Sequence, residues 1–315
     1  MNATVNAQAN DPAALEGAEL KRQIIDFARD TSTEISPHDE GLVPELAQIL
    51  PARTTVYVAH TPKAAVDDVV RVASKVQAAG MRASPHMVAR RIDSERTLRD
   101  ALSRLVEVGV EQVLLVAGDR DPPAGEFRST LEILATGALT DCGIKRVGVA
   151  GHPEGHPAVG ADTLWSALQT KQTYAERSGV RMHIATQFSF NPTAVSAWDR
   201  QLTEHGIKLP VHVGIAGPTP LPKLIKFAVQ CGIGSSLGAL TKGMGLVGRV
   251  AGLAMSPDEM LIELVRRRAR EPASHLAHPH FYAFGGVAAT ARWLRGVVDG
   301  RFDLDKSREK FTVQA

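Results

Sequence analysis

An alternation constrains this chain more than any other feature. Short β-type runs and longer runs with helical apolar spacing take turns along most of its length. The β-type runs are TSTEI (31–35), TTVYVA (54–59), RASPHMV (82–88), QVLLVA (112–117), RVGVAG (146–151), MHIATQF (182–188), PVHVGI (210–215) and HFYAF (280–284). Helical spacing covers 63–79, 94–107, 126–137, 160–177, 192–205, 220–230, 256–269 and 287–299, with a further helix over 18–29. DSER at 93–96 offers Asp93 as an N-cap, and SPDEM at 256–260 puts a proline at the first helical position. Eight strands with eight helices predict a (β/α)8 barrel, one domain over 18–315 behind a loose polar arm, 1–17. An open doubly wound sheet is the alternative. It is disfavoured because no glycine-rich dinucleotide fingerprint follows the first strand and no phosphate-loop motif occurs.

Bulk properties narrow the class of partner. Thirty-six basic and thirty-four acidic residues leave a net charge of +2, too little to argue for nucleic acid. The one basic run, RRRAR at 266–270, reads as a helix end or solvated face. There is no apolar stretch of membrane-spanning length, and the N-terminus has neither the basic start nor the apolar centre of a signal peptide. Cys142 and Cys231 stand in no metal or redox spacing and read as small buried hydrophobes. The expectation is a soluble cytoplasmic protein that acts on a small molecule. Its Gly-rich segment 230–255 is a candidate packed helix pair or subunit interface.

In a barrel, polar residues at the C-terminal strand ends face the active-site mouth. Those ends carry Glu34, His60, His86, Asp119, the group His152, Glu154 and His156, then Gln187, and His280 with Tyr282. A metal site lacks an early HxH or an HExxH helix, and HLAHPH (275–280) does not have ligand geometry. A Schiff-base lysine lacks a strand-end Lys, since Lys171 falls in a helix. A nucleophilic Ser or Cys lacks its motif. Carboxylates and an amide on separate strands best suit a reaction whose chemistry a cofactor supplies, while the protein orients the reactants and donates a proton.

Eight segments carry a resemblance: TEISP (33–37), SPHMV (84–88), VAGDRDPP (116–123), GHPEGHP (151–157), LQTK (168–171), ATQFSF (185–190), GIAGPTPL (214–221) and HFYAF (280–284). In order and spacing they resemble the FEFFPP, PHLT, LRGDPP, YPEGHPE, LKxK, ITQFFF, PGIMPI and HFYT segments of the methylenetetrahydrofolate reductase family, from about residue 31 to 299. The resemblance implies a (β/α)8 barrel that binds FAD and takes NAD(P)H as electron donor. It would interconvert 5,10-methylenetetrahydrofolate and 5-methyltetrahydrofolate by hydride transfer.

The resemblance also implies residue roles. Glu34 matches the acid that protonates a folate nitrogen as the five-membered ring opens. Asp119 matches an acid beside flavin and folate, where a fixed negative charge favours a cationic iminium. Gln187, followed by Phe188, matches the substrate-reading positions, because an amide both donates and accepts, as a pterin edge requires. His60, His86, Gly118, His152, Glu154, His156 and Lys171 fall at cofactor-contacting positions, Lys171 toward the diphosphate. A homo-oligomer is implied as well.

The departures are concentrated around the flavin. The aromatic residues beside the acid are lost in TEISPHDE, and Ala117 stands where the family has arginine. The prolines after Asp119 are displaced, His152 replaces a tyrosine, and Ser189 replaces an aromatic residue. These changes leave two alternatives: a 5-methyltetrahydrofolate-oxidising enzyme using the same residues, or a non-redox folate-binding barrel without FAD.

Overall fold

The computed structural model describes residues 17–230 and 254–314. Eight strands among them form a closed, wholly parallel barrel. They are β1 (Ser32–Ile35), β2 (Thr55–Val58), β3 (Arg82–Val88), β4 (Gln112–Val116), β5 (Arg146–Gly151), β6 (Arg181–Thr186), β7 (Val211–Ala216) and β8 (Leu276–Tyr282). Each strand pairs with the next, and β8 closes on β1 through the register Ser32↔His280. The predicted (β/α)8 barrel is therefore the fold. Around it lie α1 (Gly17–Ala28), α2 (Val43–Ile49), α3 (Val66–Ala78), α4 (Glu95–Glu107), α5 (Thr130–Ala135), α6 (Ala138–Asp141), α7 (Ala161–Ser178), α8 (Pro192–Glu204), α9 (Leu221–Gln230), α10 (Asp258–Arg270) and α11 (Val287–Val298). No helix among the described residues is long and apolar enough to cross a membrane.

Local chemistry explains the boundaries. In α4 the residues Leu98, Ala101, Leu102 and Leu105 form one buried stripe, each leucine worth about 1.5–3 kcal/mol of apolar burial. Its N-cap is Ser94, whose Oγ accepts from the Thr97 N–H at 3.2 Å, so Asp93 lies one residue outside the helix. Similarly Pro257 is the cap of α10 and Asp258 its first residue. The basic run ends α10 as expected, with Arg267, Arg268 and Arg270 in the last turn beside the carbonyl end of the helix dipole.

Other expectations needed correction. The helix expected over 126–137 is only the short α5, and Gly137, with φ 71°, caps a separate α6 beyond it. The strand expected at 280–284 runs instead from Leu276 to Tyr282. A register irregularity falls between Leu276 and His278, and Pro279 then pairs in register with Val213. Cys142 is half-buried, and Cys231, the arm 1–16 and most of the Gly-rich 230–255 segment lie outside the described residues.

The strands place apolar and polar residues on opposite faces. Val56, Val58, Val113, Leu115, Val147, Val149, Ile184, Val213 and Phe281 pack outward with the helices in one continuous core. The inward positions are largely polar, whereas Val, Ile and Leu usually fill a barrel of this kind. Tyr57 Oη lies 2.8 Å from His183 Nε2, and the Tyr57 ring lies 4.5 Å from that of His280. Gln112 donates to Ser84 Oγ at 3.1 Å, and Ser32 Oγ lies 2.9 Å from His280 Nδ1. The Tyr57–His183 bond spans the lumen, and the other two join neighbouring strands. His280, expected at the mouth, is a buried lumen residue.

Candidate active site

Strand alternation turns Ser32 and Glu34 of β1 into the lumen, Glu34 at its C-terminal end. The next residues, SPHD, fold into a capping box. Asp39 Oδ2 accepts from the Ser36 N–H at 2.8 Å and from Ser36 Oγ at 2.7 Å. That closure holds a carboxylate near Glu34. Burial first, and the Asp39 charge second, push the Glu34 carboxyl up to about 7. His86 Nε2, from β3, stands 3.6 Å from Glu34 Oε2, too long for a hydrogen bond. Burial, with His60 second, pulls His86 down to about 3, so the imidazole is neutral and the contact is not an ion pair at neutral pH.

A second group lines a cavity of about 710 Å³ beside the ends of β2, β3 and β4. Asp119 accepts from Arg91 Nη2 at 2.8 Å, and that hydrogen bond holds its carboxyl below the usual carboxylate range. The Asp119 side chain is 81% exposed, so its partner is Arg91 rather than Glu34. His60 reaches Ala64 O at 3.2 Å and is pulled down to about 4 by burial, then by Arg91. Gly118 carries φ +86°, and a Cβ there would meet Val88 Cγ1 at 2.4 Å. Only glycine lets this loop follow β3 so closely.

The third group grows from the loop after β5. Gly151 admits Ile184 and Trp198 where a Cβ would meet them at 2.4 and 2.9 Å. The chain then turns, with the Gly155 N–H donating to His152 O at 3.0 Å. Ser189 Oγ donates to Glu154 Oε1 at 2.6 Å, which ties this loop to the one after β6. The His152 and His156 rings meet edge to face at 5.1 Å, with His156 exposed. Behind the loop a cavity of about 170 Å³ is lined by His152, Trp165 and the buried Lys171 of α7. Burial pulls the Lys171 ammonium down to about 8 and His152 down to about 4.

Gln187 follows β6, its N–H donating to Gly151 O at 2.8 Å and its Oε1 accepting from the Phe188 N–H at 3.2 Å. Phe188 is only 1% exposed, its ring packed against Phe190, Tyr282 and Phe284. It builds the wall of the mouth and does not open onto it. Tyr282 Oη donates to Thr186 O at 2.9 Å, while Thr186 Oγ1 accepts from the Gly214 N–H at 2.8 Å.

The structure thus sets Glu34 beside His86, lines one cavity with His60 and Asp119, and lines another with His152 and Lys171. Sequence reading missed Arg91, whose hydrogen bond keeps Asp119 ionised, and Asp39, whose charge adds to the burial that raises Glu34. Arg91 follows β3 directly, so a cation next to a strand end was the available signal. Asp39 could have been found from the Ser-x-x-Asp spacing of a capping box.

Among solved structures, similar ones are a protein described as a phosphonomutase from Burkholderia cenocepacia J2315 (12% identity, 87% of this chain and 95% of that one, TM-score 0.47) and dihydropteroate synthase from Thermus thermophilus (15%, 87% and 94%, 0.46). The family described as methylenetetrahydrofolate reductase matches residues 54–234, which hold β2 to β7 with His86, Asp119, the 151–157 loop and Gln187. With more than half of its 315 residues matched, this chain belongs to the methylenetetrahydrofolate reductase family.

Proposed function

We propose that this protein interconverts 5,10-methylenetetrahydrofolate and 5-methyltetrahydrofolate by hydride transfer, with FAD as carrier and NAD(P)H as donor in the reductive direction. Family membership supports a folate-related reductase-type function. The observation that carries the finer reading is the Glu34 carboxyl, held near pH 7 at the C-terminal end of the barrel beside a neutral His86. In the reductive direction Glu34 gives its proton to a folate nitrogen as the ring opens, and in the oxidative direction it takes the proton back. A group half-protonated at neutral pH serves both. Asp119 stays ionised because Arg91 holds it so, which suits electrostatic support of a cationic iminium and not proton transfer. The Gln187 amide would read the pterin edge by donating and accepting together.

The residues fit a flavin nucleotide. Among the described residues, His60 Nδ1, Thr61 Oγ1, His86 Nε2 and Arg91 Nε are buried at the ends of β2 and β3 without hydrogen-bond partners. Across the mouth, Lys171 is a buried cation behind the His152 loop. His60, His86, Gly118, His152, Glu154, His156 and Lys171 would hold the cofactor, with Arg91 added by its position. When bound, FAD supplies a two-electron carrier between nicotinamide and folate. The protein's part is to orient both partners and keep one proton at Glu34.

Flavin binding tests this reading. Quenching of FAD fluorescence should give saturable binding to the purified protein. Lys171→Met should weaken it about tenfold or more, the order of a lost charge-assisted hydrogen bond. The Tm of the flavin-free variant should be unchanged or higher, because a buried cation has been removed. Wild-type protein that binds no FAD would overturn the reading.

A further inference from the structure

The opposite, N-terminal end of the barrel holds a further cavity, of about 310 Å³. Barrels ordinarily close this end with apolar side chains that serve stability. Here Arg82, Arg146 and Arg181, the first residues of β3, β5 and β6, line it together with His183, His212 and His278. The register pairs Arg146 directly with Arg181 on the neighbouring strand. Like charges directly opposite one another on paired strands are destabilising unless something between them carries the other sign. Burial, and then the charges of Arg146 and Arg53, lower the affinity of Arg82 for its proton, so the mouth carries a positive field. Asp30 is the one acid among the described residues lining it, and the nearby Glu111 is engaged by Lys145 and, at 3.9 Å, by Arg146.

The histidines add a second observation. The His183 and His212 rings stack at 3.9 Å, and His212 and His278 meet at 3.8 Å. His212 Nδ1 is buried and has no hydrogen-bond partner among the described residues. Three guanidinium forks and an unpartnered imidazole nitrogen form a set dominated by donors. Such a set recognises a tetrahedral or planar oxyanion through bidentate, charge-assisted hydrogen bonds. Its volume reaches the lower end of small-ligand pockets, so a phosphate carried on a small organic body also fits.

We propose that the N-terminal mouth of the barrel is a binding site for a phosphate group, held by Arg82, Arg146 and Arg181 with His212. It is separate from the flavin and folate end. The source is either inorganic phosphate or a small phosphorylated metabolite. Arg82 already donates through Nε to Arg53 O at 2.6 Å, which fixes its stem and leaves the remaining guanidinium donors for the anion.

Calorimetric titration of the full chain with inorganic phosphate and with glycerol 3-phosphate, at constant ionic strength against chloride, tests this. Done with and without saturating FAD, it remains interpretable whether or not the flavin reading stands. Saturable phosphate binding should persist in the presence of FAD and in Lys171→Met. It should weaken about tenfold or more in Arg181→Gln, an exposed position where folding is not at stake, with the same loss in Arg146→Gln. Arg146→Lys should fall between, since it keeps the charge and loses the fork. Tighter binding of glycerol 3-phosphate identifies an organic source, and equal or weaker binding a free ion; either supports the site. Neither probe differing from chloride would overturn the proposal. So would displacement by FAD, or wild-type affinity in Arg181→Gln.

Discussion

Glu34→Gln is expected to slow the folate half-reaction by about 10²- to 10⁴-fold, the usual worth of a positioned acid or base. Flavin reduction by NAD(P)H should be unchanged, because no proton from Glu34 is needed there. Stopped-flow absorbance of each half-reaction separates the two, and equal impairment of both would remove Glu34 from the folate step. In wild type the reductive folate step should fall about tenfold per unit above pH 7 as Glu34 loses its proton, and the variant should lose that dependence. Stability should fall over the same pH range. The carboxyl rises from 4.5 to about 7 on folding, so the stabilisation of the protonated form is full below pH 4.5 and lost as pH rises through 7. At pH 8 the native protein carries a buried carboxylate at a cost on the order of 3 kcal/mol. Glutamine removes that charge, so the variant's Tm should exceed wild type at pH 8 and match it near pH 4. Lost turnover with gained stability is the signature of a group kept for chemistry.

Gly214→Ala should strain the end of β6 and the residues around the mouth. A Cβ at this β7 position would meet Thr186 O at 2.4 Å, Tyr282 Cε2 at 2.8 Å and the Gln187 carbonyl carbon at 2.9 Å. Two of these are backbone atoms of the β6 end and cannot swing away. Overpacking of this kind costs about 1–3 kcal/mol, and here the upper part of that range applies. The expected readouts are a Tm lowered by about 5 °C or more and a raised KM for folate, since Gln187 and Tyr282 are the groups displaced. Gly160→Ala is the control, because nothing lies within 4 Å of its Cβ and its φ is −66°. A wild-type Tm for Gly214→Ala would mean that β7 moves aside freely and that the mouth is less rigid than the contacts imply.

Much of this was legible in the sequence because it rests on local periodicity. The alternation of short and long runs located the barrel, and the HPEGHP loop fell at a strand end as its proline and glycine content suggested. Glu34 was legible as a strand-end residue, and the structure places it at the C-terminal end of β1. The polar lumen was not read. In VHVGIA and RMHIAT the histidines alternate with apolar residues, a pattern that ordinarily sends the polar face to water. In a closed barrel that face has only the lumen, where His183 finds Tyr57 across the sheet, 126 residues away in sequence. Partnering at that distance leaves no local trace. Asp119 illustrates the same limit, since Arg91, 28 residues earlier, pairs with it and turns it from a lumen acid into an exposed ion-pair member. The β8 boundary differs because the expected strand starts at His280, whereas pairing with β7 starts at Leu276 and runs through a register irregularity before His278.

The most direct test of the account is an anaerobic absorption spectrum of the FAD-loaded protein before and after 5-methyltetrahydrofolate is added. The oxidised flavin band should bleach, as hydride passes from the methyl group and Glu34 takes up the folate proton. A flavin band that stays unchanged would contradict the assigned substrate while leaving the barrel and its family intact.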